Sequence, residues 1–303
     1  MRGEPPARAD GRFAPSPTGS LHLGNLRTAL LAWLFARAGG GRFLLRVEDL
    51  DSGRVREPFV AEQLADLAAL GLDHDGEIVR QSMRTETYGA ALERLRSQGL
   101  IYPCWCTRAE VREAASAPHG QLPDGAYPGT CRDLSTAHVA RNERSGRPPA
   151  LRVRAGAQRE RFTDRLCGAV SGTVDDLIVQ RNDGAFAYNF AVVIDDGAQG
   201  VGEVVRGADL LGSTARQLWL QRTLGLARPG YAHVPLLLGS SGRRLAKRDG
   251  AITLGERRAL GQIPDQVRGA LAASVGLAAK GEAPSLDVLV ARTRDLIHSG
   301  VQA

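Results

Sequence analysis

A chain of 303 residues with 43% apolar and 24% charged side chains can bury a full core, which excludes a disordered protein and leaves room for a large domain with an insertion or appendage. Its formal charge of +6 and pI near 9.5 suit an anionic partner. The polar opening 1–10 has no signal-peptide core and the most apolar window, 28–36, is too short to span a bilayer, so a cytoplasmic protein without membrane contact is expected.

In chain order, 12–14 and 42–48 read as short strands, separated by a segment whose Leu26, Leu30, Trp33 and Leu34 fall at helical spacing. Strand, helix, strand is the βαβ unit. The stretches 57–70 and 85–98 repeat the helical spacing, with Gly71 and Gly99 as stop signals. This half, 11–101, is expected to be the first part of a doubly wound α/β domain. From 102 to 149 the pattern breaks into a polar, Pro/Gly-rich insertion. Strand candidates at 150–153, 174–180, 202–205 and 233–238, with a helix over 208–224, are expected to supply the second half of the sheet within 150–239. The remainder, 240–303, reads as a Gly/Ser/Arg loop followed by two or three short helices, with no further domain expected.

Three of the four cysteines, Cys104, Cys106 and Cys131, crowd into the insertion, as metal ligands do and as the bridges of a disulfide scaffold do not. With Tyr127 as an oxygen donor they make a tetrahedral set suited to one structural zinc ion. His119 and Cys167 compete for the fourth position, although Cys167 lies in an expected strand and reads better as core.

The run Pro15-Ser16-Pro17-Thr18-Gly19-Ser20-Leu21-His22-Leu23-Gly24-Asn25 falls between the first strand and the first helix, where α/β sheets bind ligands. N–H groups at a helix start attract phosphate, glycine permits close backbone approach, and the His22 imidazole can donate to phosphate oxygens. Among 39 Lys and Arg residues only Lys247 and Lys280 are lysine, so a lysine in the loop Arg244-Leu245-Ala246-Lys247-Arg248 points to function.

The run from Arg12-Phe13-Ala14-Pro15-Ser16-Pro17-Thr18-Gly19 through Arg27-Thr28-Ala29-Leu30 closely resembles the opening of the glutamyl-tRNA synthetases. Arg46-Val47-Glu48-Asp49-Leu50-Asp51 is similar to the second segment of that family, and Tyr188 through Asp196 with Gly202 to Arg206 to the third. The resemblance implies a Rossmann-type class I synthetase core in which Arg12, Ala14, Ser16, Glu48, Tyr188 and Arg206 surround glutamate. It also implies that His22, Gly24, Asn25 and Lys247 handle ATP, with His22, Gly24 and Lys247 serving catalysis and Mg²⁺ arriving on the nucleotide. Bidentate guanidinium groups suit a substrate with two carboxylates, and Glu48 suits its ammonium. The 244–248 loop is a degenerate match to the second nucleotide motif. Short members of the family carry a Cys-x-Cys and Tyr-x-x-x-Cys set, which favours Tyr127 as the fourth zinc ligand.

Tyr188-Asn189-Phe190-Ala191-Val192-Val193-Ile194-Asp195-Asp196 is also similar to the short members, whereas full-length ones generally place asparagine where Val192 stands, which implies an altered pocket. Those short members activate glutamate without tRNA and transfer it to queuosine at the wobble position of tRNA(Asp), so the partners implied are ATP, L-glutamate and the anticodon stem-loop of that tRNA, with the chain acting as a monomer. An aminoacylating glutamyl or glutaminyl enzyme and an inactive tRNA-binding relative stay open as alternatives.

Overall fold

The computed structural model describes residues 9–116, 126–239 and 252–299. Five strands form a parallel sheet: β1 (Gly11–Phe13), β2 (Phe43–Val47) and β3 (Val79–Arg80) from the first part of the chain, β9 (Glu203–Gly207) and β10 (Gly230–Val234) from the second. Their order is β3-β2-β1-β9-β10. The order therefore reverses at β1, and the crevice between β1 and β9 is the switch point where doubly wound sheets take ligands. Register pairs Arg12 with Leu44 and Tyr231 with Val204.

Strand periodicity assigns the two faces of this sheet. Phe13, Phe43, Leu45 and Val205 point to one face and pack on α1 (Leu23–Ala38). α1 also meets α9 (Pro264–Ala273) and α10 (Leu286–Ser299) on its far side. A helix enclosed on both sides has to be apolar nearly all round, and α1 buries Leu26, Leu30, Trp33, Leu34 and most of their neighbours. The opposite face carries Leu44 and Val204 together with three buried guanidinium groups, Arg12, Arg46 and Arg206.

Between β3 and β9 the chain makes α3 (Thr85–Ser97), β4 (Ile101–Cys104), α4 (Arg108–Ser116), α5 (Thr136–Arg144), β5 (Ala150–Val153), β6 (Gln158–Asp164), β7 (Gly168–Val174), β8 (Ile178–Gln180) and α6 (Tyr188–Gln199). The strands expected at 150–153 and 174–180 do not join the parallel sheet. β5 pairs antiparallel with β4 and with β8 in a separate three-stranded sheet. The 174–180 window is cut by Asp175 and Asp176, whose buried carboxylates accept from Tyr127 N, Tyr102 OH and Ala155 N instead of continuing a strand. β6 and β7 form a hairpin that the periodicity does not announce, because its residues are largely polar. Cys167 sits in the turn of that hairpin and is exposed, which corrects its expected place in a core strand. The last strand begins at Gly230 rather than 233 and stops before Pro235, which has no N–H to continue a ladder. The 208–224 helix starts as a 3₁₀ segment, Ala208–Ser213, and becomes α7 (Thr214–Leu224) only afterwards. No helix among the described residues is long and apolar enough to cross a membrane.

Asp195 fastens α6 to the first half of the core. Its fully buried carboxylate accepts from Gln81 Nε2 (2.8 Å), Arg84 Nε (2.6 Å) and Tyr88 OH (2.8 Å), with Arg46 Nε at 3.7 Å. Truncation would deprive three donors of their acceptor and remove a carboxylate from beside Arg46. Asp195→Ala is expected to lower the unfolding free energy by about 3–5 kcal/mol, measured by urea denaturation.

Candidate functional site

At the switch point lies a cleft of about 530 Å³. Arg12, Ala14, Ser16, His22, Gly24, Asn25, Glu48, Tyr188 and Arg206 all line it, brought there from β1, the β1–α1 loop, the first turn of α1, the end of β2, the start of α6, and β9. Lys247 and the 244–248 loop lie outside the described residues, as does His119. Val192 does not line the cleft. It is buried among apolar side chains of α6, α7 and the antiparallel sheet, so the implied alteration of the pocket at this position is not a direct contact.

At the helix end of the cleft, His22 is the N-cap of α1. Its Nδ1 accepts from Asn25 N at 3.1 Å, while Asn25 Oδ1 accepts from His22 N at 3.2 Å. This reciprocal cap uses Nδ1 as an acceptor, so the neutral ring carries its proton on Nε2. Gly24 is needed for this arrangement: a Cβ there would stand 2.9 Å from His22 Cε1 and displace the ring. The positive end of the helix dipole adds to the attraction for an anion.

At the sheet end, the charges divide into a neutralised group and an exception. Asp196 accepts from Arg12 Nε at 3.3 Å and from Arg46 NH1 at 2.8 Å, and Arg46 NH2 reaches Glu48 Oε1 at 3.4 Å. Burial opposes ionisation of Asp196, but the guanidinium groups of Arg12 and Arg46 outweigh it and hold its carboxyl below the usual range. At Glu48 the balance reverses, and burial raises the pKa despite Arg46 and Arg12. Burial likewise raises the Tyr188 phenol. Arg206 is the exception, since its donors go to His233 Nε2 (3.0 Å), Gln217 Oε1 (2.7 Å), Thr214 Oγ1 (2.8 Å) and, more distantly, Leu210 O, with no carboxylate in contact among the described residues. A cleft wall with two buried guanidinium groups, one of them unneutralised, and one strained carboxylate can hold a molecule carrying more negative than positive charge.

Away from this cleft, Cys104, Cys106 and Cys131 bring their sulfurs within 4.8 Å of one another. Cys106 Sγ is 3.4 Å from Cys131 Sγ, and the Tyr127 hydroxyl is 3.4 Å from Cys104 Sγ and 3.7 Å from Cys106 Sγ. Tetrahedral zinc with ~2.3 Å bonds to sulfur and ~2.0 Å to oxygen requires separations of roughly 3.5–3.8 Å. The donor set therefore fits the ion in type, and the separations of 3.4 and 3.7 Å are close to those required, within a cluster of sulfurs that spreads over 4.8 Å. Cys167 Sγ is instead directed at His233 O, 3.6 Å away, and is not part of the set.

The polar residues behind the cleft, Asp164, Asp196, His233, Thr214 and Gln217, are buried, and sequence reasoning gave none of them a role. The only signal available was an arginine inside an apolar strand, Phe43-Leu44-Leu45-Arg46-Val47, which requires a buried acid somewhere in the fold.

The raised pKa of Glu48 has a consequence for stability. The folded state holds the proton more tightly than the unfolded chain, so stability falls as pH rises from the ordinary glutamate value of about 4.3 through the folded pKa, and at neutral pH the ionised side chain is a burden. Glu48→Gln keeps an acceptor for Arg46. It is expected to melt a few degrees above the parent at pH 7.5, by differential scanning calorimetry, with the difference shrinking as the pH is lowered through that window.

Residues 9–279 match the family described as tRNA synthetases class I (E and Q), catalytic domain. A glutamyl-Q tRNA(Asp) synthetase of Nocardia farcinica is 60% identical over 267 residues, covering 88% of this chain and 85% of the relative. One from Symbiobacterium thermophilum is 51% identical over 280 residues, covering 88% and 86%. Among solved structures, the glutamate-tRNA synthetase of Elizabethkingia anophelis superposes with a TM-score of 0.80 at 28% identity, over 93% of this chain and 65% of that one, so the chain spans a little under two thirds of that enzyme's length. The parallel sheet with its switch-point cleft is thus an α/β class I synthetase catalytic core, and the chain belongs to the E and Q branch of the class I tRNA synthetases.

Proposed function

We propose that this chain activates L-glutamate with ATP and transfers it to queuosine at the wobble position of tRNA(Asp). The observation that carries the first step is the pairing in one cleft of Arg206, a buried guanidinium with no carboxylate partner among the described residues, with the buried carboxylate of Glu48 and the His22-capped start of α1. Arg206 and Arg12 take substrate carboxylates and Glu48 takes the ammonium, with Ala14, Ser16 and Tyr188 closing the pocket around the amino acid. Burial makes the Glu48 contact favourable in the complex: an incoming ammonium supplies the positive charge that Arg46 and Arg12 do not fully provide.

Adenylation asks for little proton transfer. The α-carboxylate of glutamate is already the nucleophile, it bonds to the α-phosphorus of ATP, and the bond to pyrophosphate breaks. Alignment and neutralisation of charge dominate such a step. His22 donates through Nε2 to a phosphate oxygen, Gly24 and Asn25 keep the helix start open to the phosphates, and Lys247 follows the charge onto the leaving pyrophosphate. Mg²⁺ carried by ATP would add to the neutralisation of phosphate charge in this step.

The acceptor is supported by relatives at 60% and 51% identity that carry the name glutamyl-Q tRNA(Asp) synthetase. A basic surface suits an anticodon stem-loop, and unpaired loop bases are what proteins read in RNA. On this reading 11–101 and 150–239 are the halves of the catalytic domain, 102–149 is the zinc-bearing insertion, and 240–303 carries the nucleotide loop and a short helical end. Zinc held by Cys104, Cys106, Tyr127 and Cys131 is structural, joining the end of β4 to the loop at 126–131.

Two measurements test this. Glutamate should support exchange of labelled pyrophosphate into ATP with no RNA present, Glu48→Ala should abolish the exchange while keeping the circular dichroism spectrum, and labelled glutamate should appear on tRNA(Asp) containing queuosine but not on the same tRNA lacking it. Equal labelling of both tRNAs refutes the acceptor, and normal exchange in the variant removes Glu48 from the site. For the metal, the parent should carry about one zinc per chain by elemental analysis and Cys106→Ser clearly less. Unchanged metal content in that variant would dismiss the ligand set.

A further inference from the structure

Behind Arg206 lies a row of buried polar groups that runs out of the parallel sheet. Arg206 Nε donates to His233 Nε2 at 3.0 Å, and His233 Nδ1 lies 2.6 Å from Asp164 Oδ2. His233 belongs to β10 and Asp164 closes β6, the first strand of the polar hairpin. All three side chains are at most 4% exposed. We propose that His233 and Asp164 are positioning residues for Arg206, which fix the imidazole in one tautomer and so hold the guanidinium in the orientation that receives a substrate carboxylate. The proposal rests on the reading of Arg206 as a glutamate-binding residue.

The direction of each hydrogen bond follows from the donors. Guanidinium has only N–H groups, so His233 Nε2 must be the unprotonated nitrogen. The ring proton is then on Nδ1 and is donated to Asp164 Oδ2. A ring with its proton on Nε2 would set N–H against N–H at Arg206, and a doubly protonated ring would add cation to cation. Burial and the neighbouring Arg206 both lower the His233 pKa against the pull of Asp164, which keeps the ring neutral. The carboxylate is itself immobile: Oδ1 accepts from Leu166 N (3.0 Å), Cys167 N (2.9 Å) and His233 N (3.1 Å). On the other side of the guanidinium, Gln217 Nε2 donates to Asn189 Oδ1 at 3.0 Å, which turns Oε1 towards Arg206.

This arrangement also accounts for how an arginine without a carboxylate partner is kept in the interior. A buried unpaired cation is costly, and a carboxylate in direct contact would neutralise much of it, as Asp196 does in part for Arg12 through Nε. An anion one imidazole away offsets part of the cost and leaves the charge directed at the cleft. The β6–β7 hairpin, which adds no strand to the parallel sheet, thereby acquires a role in the site.

Asp164→Asn separates this from a packing role. The three backbone donors on Oδ1 oblige the introduced amide to put its oxygen there, so its NH₂ faces His233 Nδ1 and drives the ring proton to Nε2, against Arg206. In pyrophosphate exchange the KM for glutamate should rise roughly 100-fold, as for other small misplacements of a positioning group, with the KM for ATP unchanged. Nitrogen-15 imidazole spectra should show His233 protonated on Nδ1 in the parent and on Nε2 in the variant. An unchanged glutamate KM in Asp164→Asn, while Arg206→Ala loses glutamate, would overturn the positioning role and leave the pocket standing. An unchanged glutamate KM in Arg206→Ala would instead remove the reading on which it rests. Should Asp164→Asn not fold, the parent spectrum decides, since a ring protonated on Nε2 there is incompatible with the proposal.

Discussion

The carboxylate of Asp196, within 3.3 Å of Arg12 and 2.8 Å of Arg46, lets two of the three guanidinium groups on the face with Leu44 and Val204 stay buried in the parallel sheet. Removing charges from water costs several kcal/mol per ion unless partners and hydrogen bonds replace the lost solvation. Here the replacement is shared. Arg12, Arg46 and Arg84 meet Asp195, Asp196 and Glu48, and the last two acids differ in outcome because Asp196 lies between two cations while Glu48 has only the longer 3.4 Å contact with Arg46. Helix α6 is thus tied to β1 and β2 by charge where most layers of such a fold are held by apolar packing alone. The same ties set the cleft wall, since Tyr188 opens the helix whose far end carries Asp195 and Asp196.

The cleft's selectivity follows from which charges are left over. Arg12 is largely spoken for by Asp196, whereas Arg206 is held by neutral acceptors and Glu48 is under-compensated. One end of the pocket then seeks an anion and another a cation, at positions fixed by three strands and the start of a helix. A molecule with a single carboxylate and no ammonium would leave the buried Glu48 with only its 3.4 Å contact to Arg46, a larger penalty than the loss of an ordinary surface contact. Discrimination of this kind comes from groups that fare badly when the wrong molecule is bound.

What the sequence could reveal tracks how local each feature is. Nine of the residues facing the cleft sit in the strings 12–25, 46–51 and 188–206 and could be read from the resemblance and the chemistry together, whereas others, such as Gln63 and Asp209, lie outside them. The supporting polar residues, Asp164, His233, Thr214 and Gln217, are scattered singly through polar or ordinary stretches. Their meaning lies in being buried together, which no window of sequence contains. The same reason explains the misread sheet. Strand windows at 150–153 and 174–180 have the right composition, but composition does not say which sheet a strand joins, and the parallel positions were already taken by β3 and β9. The hairpin went unread because a strand that is exposed on alternate residues and built from Gln, Arg, Glu, Thr and Asp has little apolar signal.

The start of α1 holds two points of the chain that are far apart from it in sequence. At the start of α1, Leu23 N donates to Ile252 O at 2.7 Å, and His22 forms an antiparallel bridge with Thr253, itself the N-cap of α8 (Leu254–Ala259). One turn further along the same helix the buried Arg27 guanidinium donates to Pro235 O. Both anchors of the segment between 235 and 252, which carries Lys247, are therefore on the first turns of the helix whose N-cap is His22. Backbone N–H groups at a helix start are left without intrahelical partners, and here Leu23 N holds the returning chain while His22 N and Asn25 N are taken by the reciprocal cap. Burial lowers the pKa of Arg27, which meets no carboxylate among the described residues, so the hydrogen bond to the Pro235 carbonyl just past β10 is its principal compensation. Because α1 is enclosed by the sheet on one side and by α9 and α10 on the other, Pro235 and Ile252 are held against a helix packed on both sides, with little room to shift.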